Sequence, residues 1–542
     1  ISIRTMVTSV ASLAALLVVT VLIYKGLIYP AVISPLAKIP NAHWSVPISP
    51  AWMLWRRFRM QNNRTIQAAH EKYGPIVRLG PSEISVNCVD GGIKSVYTGG
   101  FEKHEWYPRV FGSLGTVSMF TMIGAKPHST RKRMLSNIYS KSTLQTSPHL
   151  RVVSNAVIYD RLLPILQETV DSNKPIDVHD LNQGLTMDFV SCYLFGLQNG
   201  TNHLRDHAFR KHWLHMYLCR KPFEFYHQET PNLIRWMKCM GLRLIPKYCD
   251  VANDMLDAWA LDLCGKAAQS LASTDPSVEP IVYKQLKQSL DKQAAKEGGP
   301  KTDPVEQQND IACEMYDQLT AGFETSAVGL TYLLWELSKH PEIQEKLHEE
   351  LMSLDPPIQF PKSAELPSAK AIDGLPLLEA IVTETLRLHA PIPGIQPRVT
   401  PSPSCSLGGY DNIPANTRVN AQAYSLHRNP EVFPDPETWQ PKRWLKEENS
   451  VADLEERRRW FWAFGSGGRM CVGSNLALQG QLESCYLMKK LVLIVPPETK
   501  LVTAAIYSNF RTMVVNDDDI EEIDAYTVHP RAGKLMLKFL FV

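Results

Sequence analysis

Cys471 stands in the stretch FWAFGSGGRMCVG, from Phe461 to Gly473, with glycines at 465, 467, 468 and 473 and Arg469 two residues before it. A thiolate is a good soft ligand for iron, and positive charge or a metal lowers a cysteine pKa until the thiolate forms. Glycines let the backbone take φ > 0 and approach a flat ligand closely. Backbone N–H groups in such a turn can donate to the sulfur and tune a metal. Phe464 is placed to pack beside the sulfur and exclude water, and Arg469 to reach a carboxylate on the same ligand. The following SNLALQGQLESCYLMKKL reads as a helix with Ser474 or Asn475 near its cap, and its dipole favours negative charge near the sulfur. Two rival chemistries are weaker. A dinucleotide loop needs GxGxxG, and counting from Gly465 the last position is Met470. A nucleophilic cysteine needs a partner histidine, and no sequence neighbour offers one. The plain alternative is a glycine-rich turn with a buried thiol.

Other stretches carry charge in patterns that chemistry can use. TETLRLHAPIP puts Glu384 and Arg387 three residues apart on one helix face. Exposed, such a pair contributes little. PKRW supplies Arg443 further on. In EMYDQLTAGFETSAVGL, Gly322 in mid-helix costs about 1 kcal/mol relative to Ala, which implies a close approach or a local opening. Glu324 and Thr325 follow it on an otherwise apolar helix; read alone they are a polar face, with Thr325 bonded back to the helix.

Phe464-x-x-Gly467-x-Arg469-x-Cys471-x-Gly473 resembles the haem-binding signature of the cytochrome P-450 superfamily, with five fixed positions in ten residues. The resemblance implies that Cys471 is the axial thiolate of haem iron. It implies that Glu384, Arg387 and Arg443 form a buried structural triad supporting the fold and the haem loop. PKRW then stands for the family's PERF segment, with Lys and Trp in place of Glu and Phe. Ala321 to Thr325 resembles the acid–threonine oxygen-activation motif. There Gly322 opens a groove over the iron, and Glu324 and Thr325 hold water and pass protons to the oxygen being reduced. Haem propionates need cations. Arg469 is the first candidate and Arg398, in GIQPRVT, the second. The family's WxxxR falls on His128 and Lys132, with Arg131 and Arg133 beside it, so the third contact is open among them.

Several elements must position these residues. Helical periodicity from Ile311 to Lys339 predicts a helix of about 43 Å ending before Pro341. The polar run Asp291 to Asp310 reads as a mobile surface loop, and YGPIVRLGPSEISV (Tyr73 to Val86) as a short hairpin with turns at its Gly-Pro pairs. Beyond about residue 125 the chain reads as mainly helical, with short strands after Pro391. The fold class is therefore mainly α with small β-sheets, which the resemblance makes a cytochrome P-450 fold. IDAYTVHPRAGKLMLKF (Ile523 to Phe539) resembles the family's terminal hairpin, which touches substrate.

The N-terminus adds one element. MVTSVASLAALLVVTVLIY, Met6 to Tyr24, carries no charge and spans about 28 Å as a helix, enough to cross the hydrocarbon core. A retained transmembrane helix is favoured over a cleaved signal peptide, whose apolar core is shorter. Arg4 precedes it, while Lys25, Lys38, Arg56, Arg57 and Arg59 follow, which puts the large C-terminal part on the cytoplasmic side. The division expected is 1–26 anchor, 27–50 proline-rich tether and 51–542 haem-binding catalytic domain. The formal net charge of +2 gives no case for nucleic acid. Ten cysteines without a CxxC pair exclude a zinc knuckle or a redox dithiol.

The function implied is a monooxygenase that inserts one atom of O2 into an apolar small molecule, with haem b (iron protoporphyrin IX) as cofactor. PNAHWSVPISP and AYSLHRNPEVF resemble the fungal, membrane-anchored branch of secondary metabolism, which implies a single-pass endoplasmic reticulum protein in contact with membrane lipid. No flavin or nicotinamide motif is present, so electrons are expected from an NADPH–cytochrome reductase, with EERRRW (Glu455 to Trp460) as either its docking patch or a solvated charge cluster. Pocket walls are expected from Phe101–Phe120, Tyr316–Ala321, Pro391–Gln396 and Ala525–Val528, with His212–Gln228 as an access lid or plain helix packing. Two alternatives stay open: a haem-thiolate isomerase or dehydratase needing no reductase, and a non-catalytic membrane haem-binding protein.

Overall fold

The computed structural model describes residues 3–297, 303–473 and 497–542. The helix expected after Gly473, with its caps at Ser474 and Asn475, lies outside the described residues. Contacts divide the chain into two compact units.

The first unit comprises Ile1–His104, Gly394–Leu426 and Ser466–Gly468. It opens with α1 (Ile3–Ile23), which continues as a π-helix over Tyr24–Ile33. Ser12–Ile33 has a mean hydropathy of 2.1 and is long and apolar enough to cross a membrane. Pro30 lies inside the π-helix. Beyond it, Leu36, Ile39 and Val46 are at most 2% exposed, so this stretch is packed down rather than free. The prolines stop a long helix, but the apolar residues between them still bury. The Ala42 N–H donates to the Arg78 carbonyl at 3.0 Å, fastening the stretch to the sheet.

Next come α2 (Ala51–Phe58) and α3 (Asn62–Tyr73). The hairpin forms where the Gly-Pro turns place it, as antiparallel strands Ile76–Gly80 and Glu83–Val86. Arg418–Asn420, Arg398–Val399 and Glu102–Lys103 extend it, in that order, to a five-stranded sheet. Met53, Ile66, Leu79 and Ile395 make a small core against the sheet.

The second unit comprises Glu105–Pro393, His427–Gly465 and Arg469–Val542 and is mainly helical. Its helices used below are α4 (Ala125–Leu135), α5 (Val178–Phe195), α6 (His207–Leu218), α7 (Lys247–Gln269), α8 (Ile281–Glu297), α9 (Pro304–Lys339), α10 (Pro376–Leu388) and α11 (Val451–Trp460). The expected mobile loop at 291–310 is corrected, since most of it is helix. α8 runs through Glu297, its polarity explained by an exposed face carrying the Lys287–Asp291 pair. α9 starts at Pro304, seven residues earlier than its apolar period. The Asp303 carboxylate caps it by accepting the Val305 N–H at 3.0 Å, and Pro304 loses no hydrogen bond at the first position. α5 is buried on nearly every face and packs along α9. The terminal hairpin is also shifted. Its arms are Phe510–Asn516 and Met536–Phe541, so Ile523 to Leu535 connects them rather than forming the first strand.

Burial holds several histidines neutral. It pushes His70 in the first unit, and His179 and His203 in the second, down to about 4, and His427 to about 3. The unfolded chain takes up these protons from about pH 6.5 and the folded chain does not, so stability falls as pH drops through that window. His389 is opposite: burial acts to lower it, but hydrogen bonds to Glu336 and Glu522 outweigh this and raise it, so its contribution is present in acid and lost as pH rises. Each neutral histidine costs on the order of 3 kcal/mol by pH 4. We expect the melting temperature to fall steadily from pH 6.5 to pH 4; a flat profile in thermal melts would overturn this reading.

Candidate active site

Glu384 and Arg387 face inward from α10 and neither has any exposed surface. The Arg387 Nε and Nη2 groups donate to the two carboxylate oxygens at 2.9 and 2.8 Å. Arg443 Nε donates to Glu384 Oε1 at 3.2 Å and Trp444 Nε1 to Oε2 at 2.8 Å. The Gln440 N–H adds another bond at 3.0 Å. The surface reading of this pair is thus replaced by a buried cluster, and the Trp of PKRW donates to it directly. Remaining Arg387 donors hold the carbonyls of His427 and Pro436 at 3.0 and 2.7 Å.

From this cluster a chain of bonds runs to the cysteine loop. His427 Nδ1 donates to the Arg387 carbonyl at 2.8 Å, and its Nε2 accepts the Trp462 N–H at 2.7 Å. A backbone N–H can only donate, so Nε2 must be the bare nitrogen. The Gly465 N–H donates to the Trp462 carbonyl at 3.0 Å, and the Cys471 N–H to the Phe464 carbonyl at 3.1 Å. Gly465 takes φ +69°, which closes this turn. In the first unit, Gly467 has φ +71°, and a Cβ there would lie 2.2 Å from the Tyr97 carbonyl oxygen, so only glycine fits. Phe464 packs against the main hydrophobic core of the second unit. His427 was invisible as a site residue in the sequence because its bonds go to backbone atoms far along the chain.

Cys471 is exposed, not the buried thiol of the plain alternative. Gly473 lies against it, a Cβ there falling 3.8 Å from the sulfur. Lys132 donates to the Met470 carbonyl at 3.1 Å. Arg469 donates to the carbonyls of Met122 and Ile123 at 2.7 and 2.6 Å. Burial lowers the Lys132 pKa, with Cys471 raising it and Arg469 lowering it, so both cations and the thiol interact electrostatically. The open choice around 128–133 narrows. Arg131 is spent on Asp310 and Glu314 at 2.6 and 3.2 Å, and Arg133 bonds Thr130. His128 is buried on the same face of α4 as Lys132, one turn earlier. Arg398, in the sheet of the first unit, is 2% exposed and lies over the Tyr97 ring at 4.8 Å.

In mid-α9, Leu319 and Phe323 are buried, yet Ala321 is exposed and Thr325 half-buried. The helix therefore has an open side at Ala321 and Thr325, which are one turn apart. Thr325 Oγ1 donates to the Ala321 carbonyl at 2.8 Å. Gly322 is elsewhere: a Cβ on it would lie 2.7 Å from Val190 Cγ2. It serves the close approach of α5, and the helix is continuous here. Glu324 is ion-paired with Lys221 and accepts the Tyr217 hydroxyl at 2.8 Å.

A cavity of about 860 Å³ opens beside α9, lined by 109–115, by the lid segment from Tyr217 to His227, by α7 and by Tyr316 to Thr320. Two of the four expected walls are absent from its lining. Ala525–Val528 instead joins the 105–120 loop through Tyr526, whose ring lies 5.1 Å from Trp106 and 5.5 Å from Phe111. The Val528 N–H donates to the Pro391 carbonyl at 3.0 Å. In EERRRW, Arg457 is structural, donating to the Arg443 carbonyl at 2.7 Å, and Arg459 pairs with Glu456.

The cytochrome P450 family model matches residues 46–485, and the chain belongs to that family. It is similar to the cytochrome P450 monooxygenase avaI of Aspergillus versicolor, 28% identical over 79% of this chain and 97% of that protein. It is likewise similar to the cytochrome P450 monooxygenase orf2 of Aspergillus niger, at 28% over 94% and 95%, and to aflV of Aspergillus parasiticus, at 28% over 82% of each. This is a haem-thiolate monooxygenase, an oxidoreductase that uses O2, a redox partner and a small-molecule substrate. The described residues fit a haem: the second unit supplies an accessible thiol flanked by cations and a helix with an open side at Ala321 and Thr325.

Arg443→Ala breaks a buried ion pair and should cost about 3–5 kcal/mol, leaving little folded haem protein; normal haem loading would count against the cluster's role. His427→Ala leaves the Trp462 N–H and Arg387 carbonyl unpaired and should cost about 1–3 kcal/mol. A melting temperature equal to that of the parent would show that the link bears no strain.

Proposed function

We propose that this chain inserts one oxygen atom of O2 into a small molecule of fungal secondary metabolism, by hydroxylation, epoxidation or oxidative rearrangement, with Cys471 as the axial thiolate of haem b. The observation that carries the reading is the accessible Cys471 sulfur, presented by a turn that leads back to Glu384 and flanked by Lys132 and Arg469. Cation proximity favours thiolate over thiol. Thiolate-bound haem, when present, supplies O2 activation and the oxidation itself.

The protein's own residues do the rest. Phe464 shields the sulfur side, and Gly467 and Gly473 allow the close backbone path. Lys132, His128, Arg469 and Arg398 are the cations and donors for the propionates. Thr325, whose proton goes to the Ala321 carbonyl, keeps its oxygen lone pairs for a water on the open side of α9. Glu324, bonded to Lys221 and the Tyr217 hydroxyl, links that water to groups carrying exchangeable protons. Gly322 supports both by letting α5 and α9 meet. Electrons come from an NADPH–cytochrome reductase. Ser12–Ile33 anchors the chain in the endoplasmic reticulum membrane and its lipid, with the catalytic body facing the cytosol, as the flanking basic residues favour.

The carbon monoxide difference spectrum of the reduced, membrane-expressed protein tests this directly. A strongly red-shifted Soret band is expected, and Cys471→Ala should abolish it; a retained band would move the ligand elsewhere. Thr325→Ala should keep the band yet divert electrons, raising hydrogen peroxide released per NADPH consumed several-fold. Unchanged coupling to product would sink the threonine's role.

A further inference from the structure

The cavity beside α9 is not an apolar slot. Arg220 lines it, with its Nε donating to the Tyr217 carbonyl at 3.3 Å and its Nη1 to Asn253 at 2.9 Å. Among the described residues it makes no salt bridge, though the Glu224 carboxylate acts on it electrostatically. The buried Tyr316 hydroxyl oxygen sits against this guanidinium, which acts on it as a donor, and the hydroxyl's own proton meets no protein acceptor. Burial, more than any neighbouring charge, pushes the Tyr316 phenol up to about 12, so it keeps its proton and remains a donor. The hydroxyl and the guanidinium therefore share one wall, and the phenol proton is the buried donor without an acceptor. A buried donor left unpaired costs about 1–3 kcal/mol, which a bound acceptor recovers. The same wall carries Asp257 and Glu224, so an anionic group would meet two carboxyls there. A neutral oxygen is the acceptor that suits both facts. Phe111, Phe223, Ile234 and Leu244 supply apolar lining for the remainder of a ligand.

We propose that the substrate is an oxygenated amphiphile whose neutral carbonyl or hydroxyl oxygen is held by Arg220 and Tyr316, with its apolar part against the apolar lining of the same cavity. The inference rests on the monooxygenase reading and adds a polar anchor to the apolar small molecule expected from the sequence. Arg220 and Tyr316 become specificity-determining residues.

The test uses full-length haem-loaded protein and three probes of one skeleton: tetralin, 1-tetralone and tetralin-2-carboxylate. Binding is read from the change in the ferric Soret band. The ketone should bind about 10-fold more tightly than the hydrocarbon, since a hydrogen bond to a charged donor is worth that or more. Arg220→Met should erase the preference. Tyr316→Phe, which removes one oxygen and no packing volume, should reduce it about 3-fold or more while leaving tetralin unchanged. Equal affinity for ketone and hydrocarbon, tightest binding of the carboxylate, or equal losses for all probes in Tyr316→Phe would overturn the proposal. The carbon monoxide spectrum of the same preparation separates the two readings. A thiolate-type band without ketone preference defeats this inference alone, and absence of that band defeats the monooxygenase site.

Discussion

A carboxylate with no exposed surface must be surrounded by donors or the fold pays several kilocalories for it. Glu384 meets that demand by drawing in Arg387, Arg443, Trp444 and the Gln440 backbone, and the remainder of the site is laid out from this cluster. Because Arg387 also holds the carbonyls of His427 and Pro436, the irregular stretch from 427 to 444 is pinned to α10 without regular secondary structure. His427 then carries the alignment to Trp462, and two turn bonds carry it to Cys471. A soft ligand at the end of a loop is thus held by a hard constraint inside the core. This arrangement explains why so rigid a cluster sits away from the chemistry: it sets the sulfur's position while touching no reactant.

The second constraint is on α9. A helix this long and this buried is stable only if its faces are covered, and α5 covers one of them closely enough that Gly322 cannot carry a side chain. The local opening at Ala321 and Thr325 is therefore bought against tight packing immediately beside it. Phe323, on another face, packs with Trp213 and Tyr217 at 5.2 and 5.4 Å and fixes α6 to α9. The same Tyr217 donates its hydroxyl to Glu324, which ties α6 to the acidic residue of α9.

What the sequence disclosed follows from how local each signal is. The cysteine loop, the hairpin at 76–86 and the central helix are written in contiguous residues, through fixed spacing, turn residues and apolar period, and all three form. The burial of Glu384 and Arg387 was not legible from their spacing, because an i, i+3 pair looks the same on a surface. Within the proline-rich stretch, prolines forbid long helices but say nothing about packing, so the burial of Leu36, Ile39 and Val46 between them was not legible. The polar run at 291–310 misled because an exposed helical face is as polar as a loop; the cap at Asp303 was the signal that marked the start of α9. Arg131 stood beside Lys132 in the sequence, but only Lys132 reaches the cysteine loop, since Asp310 and Glu314 on α9 claim its neighbour.

The polarity of the cavity was hidden for a different reason, since Arg220, Asn253 and Tyr316 come from three distant segments. Its meaning comes from contrast within one molecule. Glu384 shows this fold bringing five donors to a single buried carboxylate. Asp188 shows it again, accepting from Thr201 and from the backbone of His203 and Leu204. The Tyr316 hydroxyl, by contrast, is a buried donor without a protein acceptor, on a cavity wall where something outside the chain can complete it. A polar group that the protein does not satisfy by itself, on the wall of a cavity with apolar lining, is where a substrate oxygen would bind.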